Sequence, residues 1–323
     1  MVFAVSSQFQ GAQMECEGLA KMRLCAPGEL CPPAEHYQLR YMQPGLYAHP
    51  CGEVLRLARE ASTALFKRRA AGAARRARLP TLIHVGCKDL SNDRTKPFYA
   101  ALFGNRSDLS DPCLEAVMVE ANPDVAALLE ERLREYFSDF SCRRRVLSAA
   151  VCAADAEASF FSLSEQVHTK YSVQELGGVK RWDSWGTLNL NFLLQNLADI
   201  LARRISDGSD GRRIQVEDLM PFIQERTVTC ISPGSLLQKE GLEPSFVDML
   251  FLDTQDALRM LSAFLALGLR PAILRFHWAW DQRQIADQGY ATEVSEAVAF
   301  LASESYHLYQ FGEFFVALRA SET

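Results

Sequence analysis

No Cys-x-x-Cys pair and no histidine-rich partner set occurs in the 323 residues, so neither a zinc site nor a disulfide framework is written in the chain. Nine cysteines, an odd count scattered from Cys16 to Cys230, read instead as reduced thiols of the cytoplasm. Four of them lie within the first 51 residues, which leaves a small N-terminal disulfide or metal knot open as the alternative. Basic charge is not in excess: 34 Lys and Arg face 40 Asp and Glu, for a net charge of −6 and a pI near 5.6. That balance argues against a nucleic-acid surface as the main function, though not against a local basic patch. Long apolar runs are missing too. No window reaches the roughly 18 to 20 apolar residues of a membrane span, and Met1 to Ser6 lack the basic start and apolar stretch of a secretory signal. The expected location is therefore cytoplasmic, with no membrane partner. Finally, no Gly-x-Gly-x-x-Gly follows the first strong strand, which counts against a dinucleotide-dependent oxidoreductase.

What is present is a globular composition, 48% hydrophobic and 23% charged, enough for one large domain plus an extension. Residues 1–78 read as an irregular arm, broken by Pro27-Gly28, Pro32-Pro33 and Pro44-Gly45, followed by a helix from Glu53. That helix carries Val54, Leu57, Ala58, Ala61, Leu65 and Phe66 on one face. Its basic end, Lys67 to Arg78, is either a solvated face or a phosphate-binding or nuclear-address segment. Residues 79–323 read as an α/β domain with an insertion at about 164–226. The insertion holds Trp182, Trp185, a helix near Leu188 to Ile205 and the run Ser206 to Gly211. It is long enough to cap a site beyond the strand ends or to contact a partner, and it reads as a lid whose tryptophan pair either faces the site or fills the lid's core.

The domain is organised around Thr81 to Val85, a short apolar and β-branched run that ends at Gly86. A glycine there lets the chain leave the sheet while something approaches its backbone. Leu114 to Glu120 is the next strand and ends in a carboxylate, the arrangement by which open α/β sheets grip ribose hydroxyls. Asn122-Pro123 then opens a helix. Phe246 to Asp253 is apolar on both faces, as a central parallel strand should be, and delivers Asp253 to its carboxyl end. Pro271 to His277 is a further strand that brings His277 to the same edge. Tyr306 to Phe311 and Phe314 to Arg319 form a closing hairpin about Gly312-Glu313. The layout is a doubly wound, mostly parallel Rossmann-like sheet with a C-terminal antiparallel hairpin, as in the class I methyltransferase fold.

These residues resemble the FkbM-type S-adenosylmethionine-dependent methyltransferases over roughly residues 80 to 319. The family's first strand ends in Asp-Val-Gly-Ala-Asn-x-Gly, where this chain has His84-Val85-Gly86-Cys87-Lys88-Asp89-Leu90. Its Glu-Pro-Asn-Pro-like turn is matched by Glu120-Ala121-Asn122-Pro123, and its Ala-Val-Ser-Asp step by Ala150-Val151-Cys152-Ala153. Its Ile-Asp-x-Glu-Gly-x-Glu segment corresponds to Leu252-Asp253-Thr254-Gln255-Asp256-Ala257-Leu258, with only the Asp kept. The resemblance implies S-adenosylmethionine as cofactor and methylation of an oxygen on a small or sugar-containing substrate. It places His84, Gly86, Glu120, Ala150 and Asp253 at the cofactor and Asp253 and His277 at the reaction, with no metal. The lost motif positions imply a second possibility, a methyltransferase-fold module that binds or scaffolds without catalysis. The residues leave the oligomeric state open.

Overall fold

The computed structural model describes residues 46–47, 51–71, 79–88, 96–103, 113–136, 141–172, 176, 186–205, 214–278, 288–311 and 314–320. Most of the N-terminal arm, Trp182, Trp185, Trp280, the 206–211 run, the 72–78 part of the basic segment and the Gly312-Glu313 turn lie outside them. The elements alternate from the first helix onward. Strand β1 (Leu46–Tyr47) and helix α1 (Cys51–Ala71) precede β2 (Thr81–Val85), α2 (Lys96–Phe103), β3 (Leu114–Glu120), α3 (Pro123–Tyr136) and β4 (Ser141–Ser148). After an intervening unit come β9 (Met249–Leu252), α7 (Ala257–Ala266), β10 (Ile273–His277), α8 (Gln288–Ser303), β11 (Tyr306–Phe311) and β12 (Phe314–Arg319).

These strands form one eight-stranded sheet in the order β1-β11-β12-β10-β9-β2-β3-β4. Strands β4, β3, β2, β9 and β10 run parallel, and only β12 is antiparallel to its neighbours. The protein therefore has the mostly parallel sheet and closing antiparallel hairpin of a class I methyltransferase fold. Both faces are covered, which is why β2, β3, β9 and β10 are buried along their whole length. On one face Ile83, Val117, Leu250, Leu274 and Phe276 pack with Leu258 and Phe264 of α7 and Leu301 of α8. On the other, Leu82, Met118, Met249, Phe251 and Ile273 meet Val54, Ala58, Leu65 and Phe66 of α1, Phe98 of α2 and Leu129 of α3. The helical face read from the sequence of α1 is thus the face it buries.

The amino ends of the strands are held by charge. Asp248 accepts from Arg69 (2.5 Å) and from the Thr81 N–H (3.0 Å), and burial keeps its carboxyl above the usual range even so. Arg145 bridges Glu115 and Glu240, both buried acids. Such pairs fix geometry more than they add stability, and they leave the carboxyl ends of the strands as the edge available for chemistry.

Between β4 and β9 the chain makes a second, four-stranded sheet. It consists of β5 (Ala150–Val151), β6 (Ala156–Leu163), β7 (Gly186–Thr187) and β8 (Ile223–Ile231), in the order β5-β8-β6-β7. Helices α4 (Leu190–Ile205) and α5 (Val216–Leu219) lie within it in sequence, and α6 (Pro233–Lys239) follows. The sequence-derived insertion, 164–226, falls inside this unit. The chain changes sheets between β4 and β5: β4 stays in the large sheet, while β5 crosses to the small one. The unit has a core of its own, built from Leu163, Val167, Tyr171, Leu193, Leu197 and Leu219.

The reading of all cysteines as reduced thiols is corrected here. Cys152 and Cys230, 78 residues apart, are joined in a disulfide. The cause is a non-local pairing: β5 runs parallel to β8, with Ala150 opposite Cys230 and Val151 opposite Ile231, and the Cys152 N–H donates to Ile231 O (3.0 Å). Cysteine spacing alone cannot reveal a partner delivered by sheet register. Among the described residues Cys87 is a free, buried thiol.

Just past β8, Ser232 caps α6: its Oγ accepts from the Ser235 N–H (3.2 Å), and Asp155 accepts from the Ser232 N–H and the Ser235 hydroxyl, each at 2.6 Å. Ser232→Ala is expected to cost about 1 kcal/mol, the usual loss for an N-cap. A urea midpoint equal to the parent's would count against the cap.

Candidate active site

Parallel register sorts the candidate residues into rows. Met118, His84, Phe251 and Arg275 lie opposite one another across β3, β2, β9 and β10, on the face covered by α1 and α2. One step closer to solvent, Val119, Val85, Leu252 and Phe276 pair in the same way and point to the opposite face. One further residue on each strand gives Glu120, Gly86, Asp253 and His277. The ladder extends to this level, since the Gly86 N–H donates to Val119 O and the Asp253 N–H to Val85 O, both at 2.9 Å. The four residues singled out from separate stretches of sequence therefore stand on one carboxyl rim of four adjacent strands.

Gly86 is required there by packing. Its φ is +75°, and a Cβ on it would come within 2.3 Å of the Asp253 carbonyl oxygen and 2.8 Å of Thr254 Cγ2. The missing side chain lets the loop after β9 close onto the end of β2.

Glu120 is buried, and both carboxylate oxygens already organise the rim: Oε2 accepts from the Lys88 N–H and Oε1 from the Asn122 N–H, both at 2.9 Å. Burial raises its pKa above the usual value, with those amides pulling the other way. Each carboxylate oxygen has a second lone pair, so acceptor capacity remains. Asn122 caps α3 as its sequence suggested, its Oδ1 accepting from the Asp124 N–H (3.1 Å). Ala150 follows directly: the Ala149 N–H donates to Glu120 O (3.0 Å), and Ala150 packs with Ala121 nearby.

Asp253 is buried to 5% exposure, and it is not the cap of α7, a position held by Asp256. His277, also buried, sets its ring edge-on to Phe314 at 4.7 Å. Its neighbour Trp278 turns to the other face and stacks on Phe315. His277 thus packs against the hairpin strand β12.

His84 lies in the lower row, fully buried. Its Nδ1 is 2.5 Å from the Tyr99 hydroxyl, and its ring meets Phe251 edge-on. Burial, then the Arg275 charge, then Lys88, hold the imidazole well below its ordinary pKa, so it is neutral. Tyr99 and Arg275 were not found from sequence. Arg275 had a signal, as the single charge in the apolar run Ile273 to His277; its guanidinium lies 3.6 Å from the Phe314 ring centre. Tyr99 had none beyond its place on an apolar helix.

The small sheet also reaches this rim from β7. Thr187 on β7 donates its hydroxyl to Gln255 Oε1 (2.7 Å), two residues beyond Asp253, and accepts from the Asn189 N–H (3.1 Å). A donor-rich ligand with hydroxyl or ammonium groups suits the acidic rim.

No family model and no curated protein matches the chain. Among solved structures it is similar to an O-methyltransferase from Bacillus cereus in complex with SAH, at 10% identity over 99% of this chain and 94% of that one, with a TM-score of 0.35. It is also similar to an SAH-bound methyltransferase from Podospora anserina, at 12% identity over 100% of this chain and 98% of that one, with a TM-score of 0.32. At such identities and TM-scores neither neighbour assigns an activity to this chain.

Proposed function

We propose that the protein is an S-adenosylmethionine-dependent methyltransferase of the FkbM type that methylates an oxygen of a small or sugar-containing substrate. The observation that carries this reading is the shared rim: Glu120, bare Gly86, Asp253 and His277 follow one another across four parallel strands. In this reading Glu120 accepts from the ribose hydroxyls, Ala150 borders the adenine, Gly86 allows close approach, and Asp253 accepts from the ammonium of the amino-acid end. The cofactor supplies an electrophilic methyl group. With that group held in line with the acceptor oxygen, His277 would take the acceptor's proton, so the protein's part is alignment and proton removal. Asp253, beside His277 at the strand ends, supports the charge that the imidazole gains.

Glu120→Ala is expected to weaken S-adenosylhomocysteine binding at least tenfold, as loss of a charged acceptor does, read by isothermal titration. The pH dependence has two opposite signs. Because folding raises the Glu120 pKa, its contribution to stability is present at low pH and is lost as pH rises through that raised value. Its acceptor role needs the ionised form, so affinity instead rises through the same titration. Affinity that stays flat from pH 4 to 8 would remove Glu120 from the site.

A second reading is a binding or scaffolding module without catalysis. It is favoured by the engagement of both Glu120 oxygens with backbone amides. Absence of heat and of a thermal shift at millimolar S-adenosylmethionine would select it. The cytoplasmic placement expected from sequence is at odds with the Cys152–Cys230 bridge, since cytosolic thiols are held reduced. Alkylation of freshly lysed protein decides the matter, a free Cys152 favouring the cytoplasm. No helix among the described residues is long and apolar enough to cross a membrane.

A further inference from the structure

We propose that His84, fixed by Tyr99 as an Nε2–H donor, is a positioning residue that selects for the carboxylate of an amino-acid-bearing nucleoside ligand. This rests on the cofactor reading above and adds to it a polarity that the resemblance does not supply. An acid at this position would accept from the ligand's ammonium; the imidazole here donates.

The direction of the His84–Tyr99 bond follows from acid strength. A phenol is a far stronger proton donor than a neutral imidazole N–H, and imidazole nitrogen a far stronger acceptor than phenol oxygen. At 2.5 Å the hydroxyl of Tyr99 therefore donates to Nδ1. Burial raises the Tyr99 pKa well above its ordinary value, so the phenol keeps its proton to give. With Nδ1 occupied as acceptor, the single proton of the neutral ring sits on Nε2.

That Nε2–H is buried and has no hydrogen-bond partner among the described residues. A donor left so costs about 1–3 kcal/mol, which an arriving acceptor recovers. Geometry says where the acceptor comes from. His84 is two residues before Gly86 on the same strand, beneath the rim row of Glu120, Gly86 and Asp253, so an acceptor comes to it from the rim side. On either side of Gly86 stand Glu120 and Asp253. The floor therefore donates within the field of Arg275 and Lys88, while both walls accept. An α-amino acid has matching halves: its carboxylate suits the floor and its ammonium suits Asp253.

The test is calorimetric titration of the full chain with three nucleosides: S-adenosylhomocysteine, its decarboxylated analogue, and methylthioadenosine, which has no amino-acid end. The parent should bind S-adenosylhomocysteine roughly tenfold or more tighter than the decarboxylated analogue, the range of a hydrogen bond to a charged group. His84→Phe should erase that ratio while leaving methylthioadenosine affinity as it was. Tyr99→Phe, which keeps the ring and removes only the tautomer lock, should reduce the ratio in the same direction and serves should His84→Phe fold poorly. Nitrogen NMR of the ligand-free protein should show the Nε2–H tautomer for His84. An Nδ1–H tautomer, or a ratio that persists in both variants, overturns the inference while the cofactor reading stands. If none of the three nucleosides binds, the cofactor reading fails and the inference goes with it.

Discussion

Gly86→Ala is expected to lower unfolding stability by about 2–5 kcal/mol and to abolish nucleoside binding. Two costs combine. A φ of +75° charges an L-residue about 1–2 kcal/mol. The new Cβ also lies 2.3 Å from the Asp253 carbonyl oxygen and 2.9 Å from its carbon, far inside contact distance, where forced overpacking costs about 1–3 kcal/mol more. The obstacle is backbone, so a rotamer change cannot relieve it. Nor can Asp253 simply retreat: its N–H is bonded to Val85 O, and β9 lies between β2 and β10 in the middle of the sheet. Whatever gives way moves Asp253 off the rim or opens the bend after β2, and either change shifts the groups on both sides of Gly86 relative to one another. Urea unfolding and calorimetry with S-adenosylhomocysteine are the measurements. A variant with the parent's midpoint and affinity would mean that this bend is not what organises the site.

Removing the Cys152–Cys230 bridge, by reduction or by replacing both cysteines with serine, should cost about 4 kcal/mol. A crosslink spanning 78 residues takes that much entropy from the unfolded chain in the loop-closure treatment. The loss should be local. The bridge joins the start and end of the small sheet, whose core of Leu163, Val167, Tyr171, Leu193 and Leu197 is separate from the cores on the two faces of the large sheet. Hydrogen exchange should therefore speed up in β6 and β8 well before β2, β3 and β9 respond. Equal acceleration in both sheets would show the two to be one cooperative unit, and an unchanged urea midpoint would show that the crosslink adds nothing.

What the sequence disclosed, and what it withheld, follows from range of interaction. Strands β2, β3, β9 and β10 were legible because burial on both faces demands uninterrupted apolar runs, and the hairpin because two such runs flank Gly312-Glu313. Strands β6 and β8 were harder: each has polar positions facing solvent, and their meaning depends on partners about 70 residues away. Glu120, Asp253 and His277 could each be placed at a strand end from local pattern. That they share one row needed the register of three strand pairs. His84 was noticed as a departure from a motif, but its donor character comes from Tyr99, 15 residues on in helix α2, for which local pattern has no code.

The crosslink at the neck of the small sheet has one more effect. Residues 153–229 are a closed ring of chain, so a protease that cuts once anywhere inside it does not release a fragment. The two pieces, each retaining one half of the crosslink, travel together on a denaturing gel until a thiol reductant parts them. A single cut within that ring thereby leaves the parallel sheet and its rim on one covalent molecule.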